Sequence, residues 1–181
     1  MCCLAHVLNL IVKEGLKDID PSILRIREAI RYVRVSTIRQ NVFKGLVEKL
    51  GIDYKGFIFL DCDIRWNSTY LMLAAALKFQ KVFEELEIID SKYVTELSKG
   101  KDLPTIEDWD FMFFILLFME IFYKAIVRIS RSTYVTSNMY MYEMFGIGNK
   151  IRLMCESEDV RIRSMAKKWG RSIISTLILA L

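Results

Sequence analysis

The sequence predicts a mainly α-helical chain, and three observations carry that expectation. Two prolines and eight glycines in 181 residues leave few breaks, which favours long helices over a many-stranded sandwich. Apolar residues recur at helical spacing along successive segments. Hydrophobic residues reach 53% at a mean hydropathy of +0.26, which excludes disorder for most of the length.

The elements follow in order. Cys3 to Leu16 carries Leu4, Val7, Leu8, Ile11 and Val12 on one stripe. Asp20-Pro21 supplies an N-cap and a first-turn proline, and Ile23, Ile26, Ile30 and Val33 give the next amphipathic helix. A third helix runs from about Ile38 to Leu50 and stops at Gly51, placed to act as an αL cap. Gly56 to Leu60 is the one short apolar run that reads as extended, so at most one short strand is expected near 56–60. Asn67 or Ser68 then caps a long helix expected to continue to about Ile89. The stretch Asp90 to Pro104 is the most loop-like part. Thr105 and Asp108 have the spacing of a capping box for a helix reaching Ile129. Asn138 to Met154 and Val160 to the end complete the set, capped by Thr136 or Ser137 and by Ser157.

Composition narrows the class of function. A net charge of +4 permits nucleic-acid binding without demanding it. Cys2, Cys3, Cys62 and Cys155 have no disulfide-framework spacing and follow no secretory signal, so a reduced nuclear or cytosolic compartment is expected. The apolar runs Phe111 to Phe122 and Ile173 to Leu181 are interrupted by Glu120 or short of the roughly 20 residues of a spanning helix. No membrane partner is expected. The high apolar content suggests a surface that meets a partner or another part of the same protein.

Four groups of residues carry candidate chemistry. Arg65 and Trp66 sit side by side at the mouth of a helix, where a cation and a flat ring suit a phosphate and a displaced base; a core anchor with a solvated neighbour is the other reading. Arg25, Arg27, Arg31, Arg34 and Arg39 form a face that could track phosphates or simply be solvated, and Arg161, Arg163, Lys167, Lys168 and Arg171 are equally ambiguous. Cys3 and His6 have C-x-x-H spacing, but His6 is the sole histidine, so the ligand count fails for zinc and no metal site is expected. Asp61 and Asp63 could face one way as metal ligands, yet no third acid converges with them, and a cap or turn role is favoured.

The combined motifs resemble the hAT-superfamily transposases, and among them the plant zinc-finger BED, RICESLEEPER-like group. Cys2-Cys3-Leu4-Ala5-His6-Val7-Leu8-Asn9-Leu10 is similar to that family's CxxHxLNL signature, and Arg65-Trp66-Asn67-Ser68-Thr69-Tyr70 to its RWNSTY signature. Ile121-Phe122-Tyr123-Lys124-Ala125 and Tyr134-Val135-Thr136-Ser137-Asn138 resemble its FY.AT…YPTSN block. The resemblance covers residues 2 to about 169; Trp169-Gly170-Arg171-Ser172 and the apolar tail depart from it, so 170–181 is expected to be a divergent tail.

The resemblance implies the junction and helical insertion of an RNase-H-like catalytic region. The family's three catalytic acids lie before the first signature and well after the last, so the chain is expected to be a fragment without catalytic carboxylates or cofactor of its own, the parent family using a divalent metal such as magnesium. Arg65 and Trp66 are the implied DNA-binding pair, with Trp66 stacking near a flipped base. Cys3, His6, Asn67 and Ser68 are implied motif residues, and Arg25, Arg27, Arg31 and Arg34 candidate phosphate contacts. DNA is the expected partner, with full-length transposase or a second copy as further partners, no small-molecule substrate, and a nuclear location. A domesticated regulatory or interaction module is the alternative, and an independent nuclease the weakest reading.

Overall fold

The computed structural model describes residues 4–16, 20–53, 56–62, 65–131, 137–158 and 160–180. Among them the chain forms nine helices: α1 (Leu4–Leu16), α2 (Asp20–Arg34), α3 (Thr37–Lys49), α4 (Trp66–Lys78), α5 (Gln80–Ile89), α6 (Ser91–Ser98), α7 (Ile106–Arg131), α8 (Ser137–Cys155) and α9 (Val160–Ala180). No strand occurs among the described residues. The run 56–60 stays irregular: it buries Ile58 completely, but it has no neighbouring strand to complete a ladder. None of the described helices is long and apolar enough to cross a membrane.

The helices belong to two compact units, Ile19–Leu116, and Met1–Asp18 together with Leu117–Leu181. In the first, α2 packs on α3, α4 and α6, and α5 packs on α3, α4 and α6. Ile23, Ile26, Ile30 and Val33 bury the expected stripe of α2. Phe43 of α3 is its aromatic centre, 5.6 Å from Phe79 and 5.1 Å from Phe83 between ring centroids. Phe83 in turn stacks on Trp109 at 5.7 Å. Such pairs add about 0.5–1.5 kcal/mol each beyond the area they bury.

In the second unit α9 packs on α1 and α8. Leu8, Ile11 and Val12 of α1 are fully buried, as are Phe118, Phe122 and Trp169. Trp169 lies 5.6 Å from Phe118 and 5.1 Å from Phe122. The helix expected from Val160 onward is α9, which runs through Gly170 and Arg171 to Ala180. Its amphipathic pattern continues there, so the helix has no local reason to stop.

Helix ends show where the sequence reading holds and where packing departs from it. Gly51 closes α3 with φ +63°, and Gly51 N and Ile52 N donate to the Glu48 and Val47 carbonyls in a Schellman pattern. Thr105 Oγ1 accepts from Asp108 N at 3.2 Å while Asp108 Oδ2 accepts from Thr105 N at 2.8 Å, so the expected capping box opens α7. The helix expected from 67 to 89 is divided at Phe79, whose φ −104° and ψ 12° leave the helical region. No glycine or proline marks that break; the Phe79 ring is 1% exposed, and its insertion beside Phe43 turns the backbone. The expected loop 90–104 contains α6, because Asp90 Oδ1 accepts from Lys92 N and Tyr93 N and so caps it. Tyr93 and Leu97, one turn apart, bury its inner face.

Candidate nucleic-acid interface

The segment leading into Arg65 and Trp66 is held by side chains from two helices. Asp61, in the irregular stretch before α4, accepts from Arg27 Nε at 2.8 Å and Nη2 at 2.7 Å. Thr69 Oγ1, one turn inside α4, donates to the same carboxylate at 2.6 Å. The Asp61 side chain is 1% exposed. Burial pushes its pKa upward, but the Arg27 and Thr69 hydrogen bonds and the guanidinium charge outweigh that and hold it below the usual carboxylate range. A carboxylate so occupied is a structural anchor rather than a free metal ligand. Asp63 lies outside the described residues.

The helix itself opens two residues earlier than the nearer expected cap, Asn67, implies. Arg65 is the N-cap residue, with extended φ −123° and ψ 95° and no side-chain cap. Ser68 turns its hydroxyl back instead: Oγ accepts from Cys62 N at 2.9 Å and donates to the Arg65 carbonyl at 2.6 Å. That hydroxyl ties down the turn carrying Arg65. Asn67 Oδ1 is buried without a hydrogen-bond partner.

Arg65 and Trp66 therefore diverge. Trp66 is 4% exposed, so its ring packs in the core of the first unit, while Arg65 is exposed. The packing reading describes the tryptophan, and the cation alone faces solvent. An exposed guanidinium at a helix N-terminus is suited to a phosphate oxygen.

The four arginines of α2 do not form one phosphate-tracking face. Arg25 Nε and Nη2 donate to Asp108 at 2.7 and 2.6 Å, and Ser22 Oγ adds a third bond at 2.5 Å. Burial again opposes ionisation of Asp108, but these bonds and those from Thr105 hold its carboxyl far below the usual range. Arg27 is committed to Asp61. Arg31 pairs with Glu28 one turn earlier. Arg34 donates to the Ile58 carbonyl at 3.3 Å and lies 6.0 Å from the Phe57 ring. Arg39 packs its guanidinium 3.7 Å over Tyr32 and bonds Glu96 at 2.6 Å. Bidentate pairs between residues 83 and 34 positions apart leave no periodic trace, which is why the sequence presented these arginines as a free face.

The remaining candidates are placed as follows. Cys3 and the His6 side chain lie outside the described residues, as do 134–136 of the Tyr134–Asn138 block, the side chains of 137–138 and the Arg161 side chain. Arg163 Nη1 donates to the Ser157 carbonyl at 3.0 Å, and Lys167 and Arg171 are exposed. Among the described residues no three His, Cys, Asp or Glu side chains converge. The acids that are buried, Asp61, Asp108 and Glu143, each accept from an arginine. These three described acids are therefore already engaged by guanidinium groups and are not open to a metal ion.

Comparison with known proteins accords with this all-helical region. Residues 1–117 match the family model for the ZBED1 RNase-like helical domain. Zinc finger BED domain-containing protein RICESLEEPER 3 of Oryza sativa is 30% identical over 165 residues, covering 91% of this chain and 21% of that protein. A Zea mays protein named as an AC transposase is 27% identical over 164 residues, covering 91% of the chain and 20% of the relative. Zinc finger BED domain-containing protein DAYSLEEPER of Arabidopsis thaliana is 25% identical over 125 residues, covering 69% of the chain and 17% of the relative. The chain thus spans about a fifth of the length of the curated relatives it matches. No solved structure matches. The chain belongs to the ZBED1 RNase-like helical domain family, within the plant hAT-like transposase-derived proteins.

Proposed function

We propose that this chain is a DNA-contacting helical region of a hAT-like transposase that does not cut DNA by itself. The observation that carries the reading is the exposed Arg65 at the mouth of α4, within the signature shared with the family and locked there by the Arg27–Asp61–Thr69 cluster. Arg65 contributes a phosphate contact, and Trp66 fixes its position by filling the core beneath it. Catalysis would depend on carboxylates and a divalent metal supplied elsewhere in a complete transposase, since the buried acids described here are spoken for by arginines. A nuclear location follows from DNA as partner.

The test is equilibrium binding of the 181-residue chain to hairpin and single-stranded DNA across a salt series. Binding should weaken with salt, and Arg65→Ala should lower affinity and make the salt slope shallower by about one phosphate contact. Equal slopes for wild type and variant would remove Arg65 from the interface. A chain that binds no DNA at any salt would remove the proposal.

A second reading, a transposase-derived interaction module, draws on the exposed Val35, Ile38 and Val42 beside and on α3, the first two 73% and 76% exposed. Apolar groups adjoining in this way suit a protein surface. Under that reading the chain associates with a full-length relative irrespective of salt, and sedimentation distinguishes the two.

A further inference from the structure

Tyr142 and Phe145 stand one turn apart on α8 and are 78% and 70% exposed. Both line an open cavity of about 700 Å³, together with Gly146, Arg128, Asn149 and Lys150. The acid in this wall, Glu143, is 4% exposed and accepts both Arg128 Nε and Nη2, at 2.5 and 2.6 Å. That pair cancels its own charge, so Lys150 gives the cavity a net positive character. Large aromatic faces beside a cation are the elements with which proteins hold unpaired nucleotides.

Gly146 shapes the same wall. It lies in the interior of a helix, where glycine is less favourable than any residue except proline. A Cβ built there meets nothing within 4 Å, so no neighbour among the described residues requires its absence. What the glycine leaves is bare helix backbone along the cavity, open to close approach by a flat group.

We propose that this α8 groove binds unpaired nucleotides of DNA, the bases stacking on Tyr142 and Phe145 beside Gly146, and a phosphate meeting Lys150. The assignment rests on the DNA-contacting reading above and gives it a second site, distinct from Arg65. Duplex DNA fits less well, because its base faces are not available to side chains. The cationic lining with its one acid neutralised favours a polyanion over a protein partner.

The test is fluorescence anisotropy of a labelled single-stranded oligonucleotide and of the same sequence as a duplex, titrated with the full 181-residue chain. The single strand should bind more tightly. Tyr142→Ala with Phe145→Ala should weaken it about tenfold or more, in line with the loss of base stacking, and leave duplex affinity nearly unchanged. Gly146→Leu should weaken it comparably while circular dichroism shows helix content kept, because leucine is the better helix former. Should wild type bind while all three substitutions leave affinity intact, the groove is not the site and the Arg65 reading survives. Should wild type bind neither form, both proposals fall. Should the substitutions instead abolish self-association with DNA affinity unchanged, the groove is a protein surface and the assignment is overturned.

Discussion

Arg27 and Asp61 form a two-toothed ion pair, 2.8 and 2.7 Å long, that joins α2 to the irregular stretch before α4. With 13% and 1% of the two side chains exposed, it is a buried pair rather than a surface contact. Thr69 completes it from within α4. The pair sits where the chain turns into the family signature, so its integrity sets where Arg65 stands.

Asp61→Ala removes the carboxylate that holds the mostly buried Arg27 guanidinium. The expected cost is about 3–5 kcal/mol, measured by urea unfolding. Arg27→Met combined with Asp61→Leu should cost less than the single change, because no charge is then left stranded. A loss near zero for Asp61→Ala would mean that the pair is not sequestered from water.

Stability should fall in acid. Burial raises the carboxyl pKa of Asp61, Asp90 and Asp108, but hydrogen bonds from Arg27, Tyr32 and Arg25 respectively reverse this, and all three end below their ordinary value. Between the folded and unfolded pKa the unfolded chain binds more protons, so stability rises with pH there. The contribution is complete above about pH 5 and is lost as pH falls through about 4 and below. Asp108→Asn should be less stable at neutral pH yet lose less on acidification; an equally steep acid loss would assign the effect to other carboxylates.

The neighbours Arg65 and Trp66 should separate in their effects. Trp66→Ala is expected to cost about 3–5 kcal/mol through the cavity it leaves. Arg65→Ala should stay within about 0.5 kcal/mol of wild type in stability while weakening DNA binding. Thermal unfolding and anisotropy on the same two samples decide the matter, and a stable Trp66→Ala chain would contradict the burial.

Trp169 anchors α9 against Phe118 and Phe122. Trp169→Ala should destabilise the chain by about 3–5 kcal/mol. Ending the chain after Lys168 should do at least as much, since it uncovers Phe118 and Phe122. Unchanged melting after that truncation would show the tail to be dispensable.

Gly51 is the position in α3's end where backbone geometry demands glycine. Gly51→Ala places an alanine at φ +63° and should cost about 1 kcal/mol. An unchanged urea midpoint would indicate that the turn rearranges.

Much of the fold was legible because its signals are local. The stripe of α2, the Thr105–Asp108 box and Gly51 each act within a few residues, and the structure places them as the pattern implies. The division at Phe79 was not legible, because its cause is an aromatic contact with Phe43, far away in the chain. α6 was missed although Asp90 and the Tyr93–Leu97 spacing were present; an eight-residue helix, about two turns, is too short to stand out against a polar stretch. The α8 groove left no periodic signal, since exposure is a property of what fails to pack against a helix.

The sequence by itself determined the helical class, most helix ends and the family, since periodicity, caps and signature motifs are written in consecutive residues. Tertiary structure alone decided the chemistry available at each side chain. It took Arg25 and Arg27 out of the pool of free cations, turned Trp66 inward and left Arg65 outside. The reason is physical: a charge or a ring is defined functionally by the water it keeps or loses, and that is settled only when distant segments pack together.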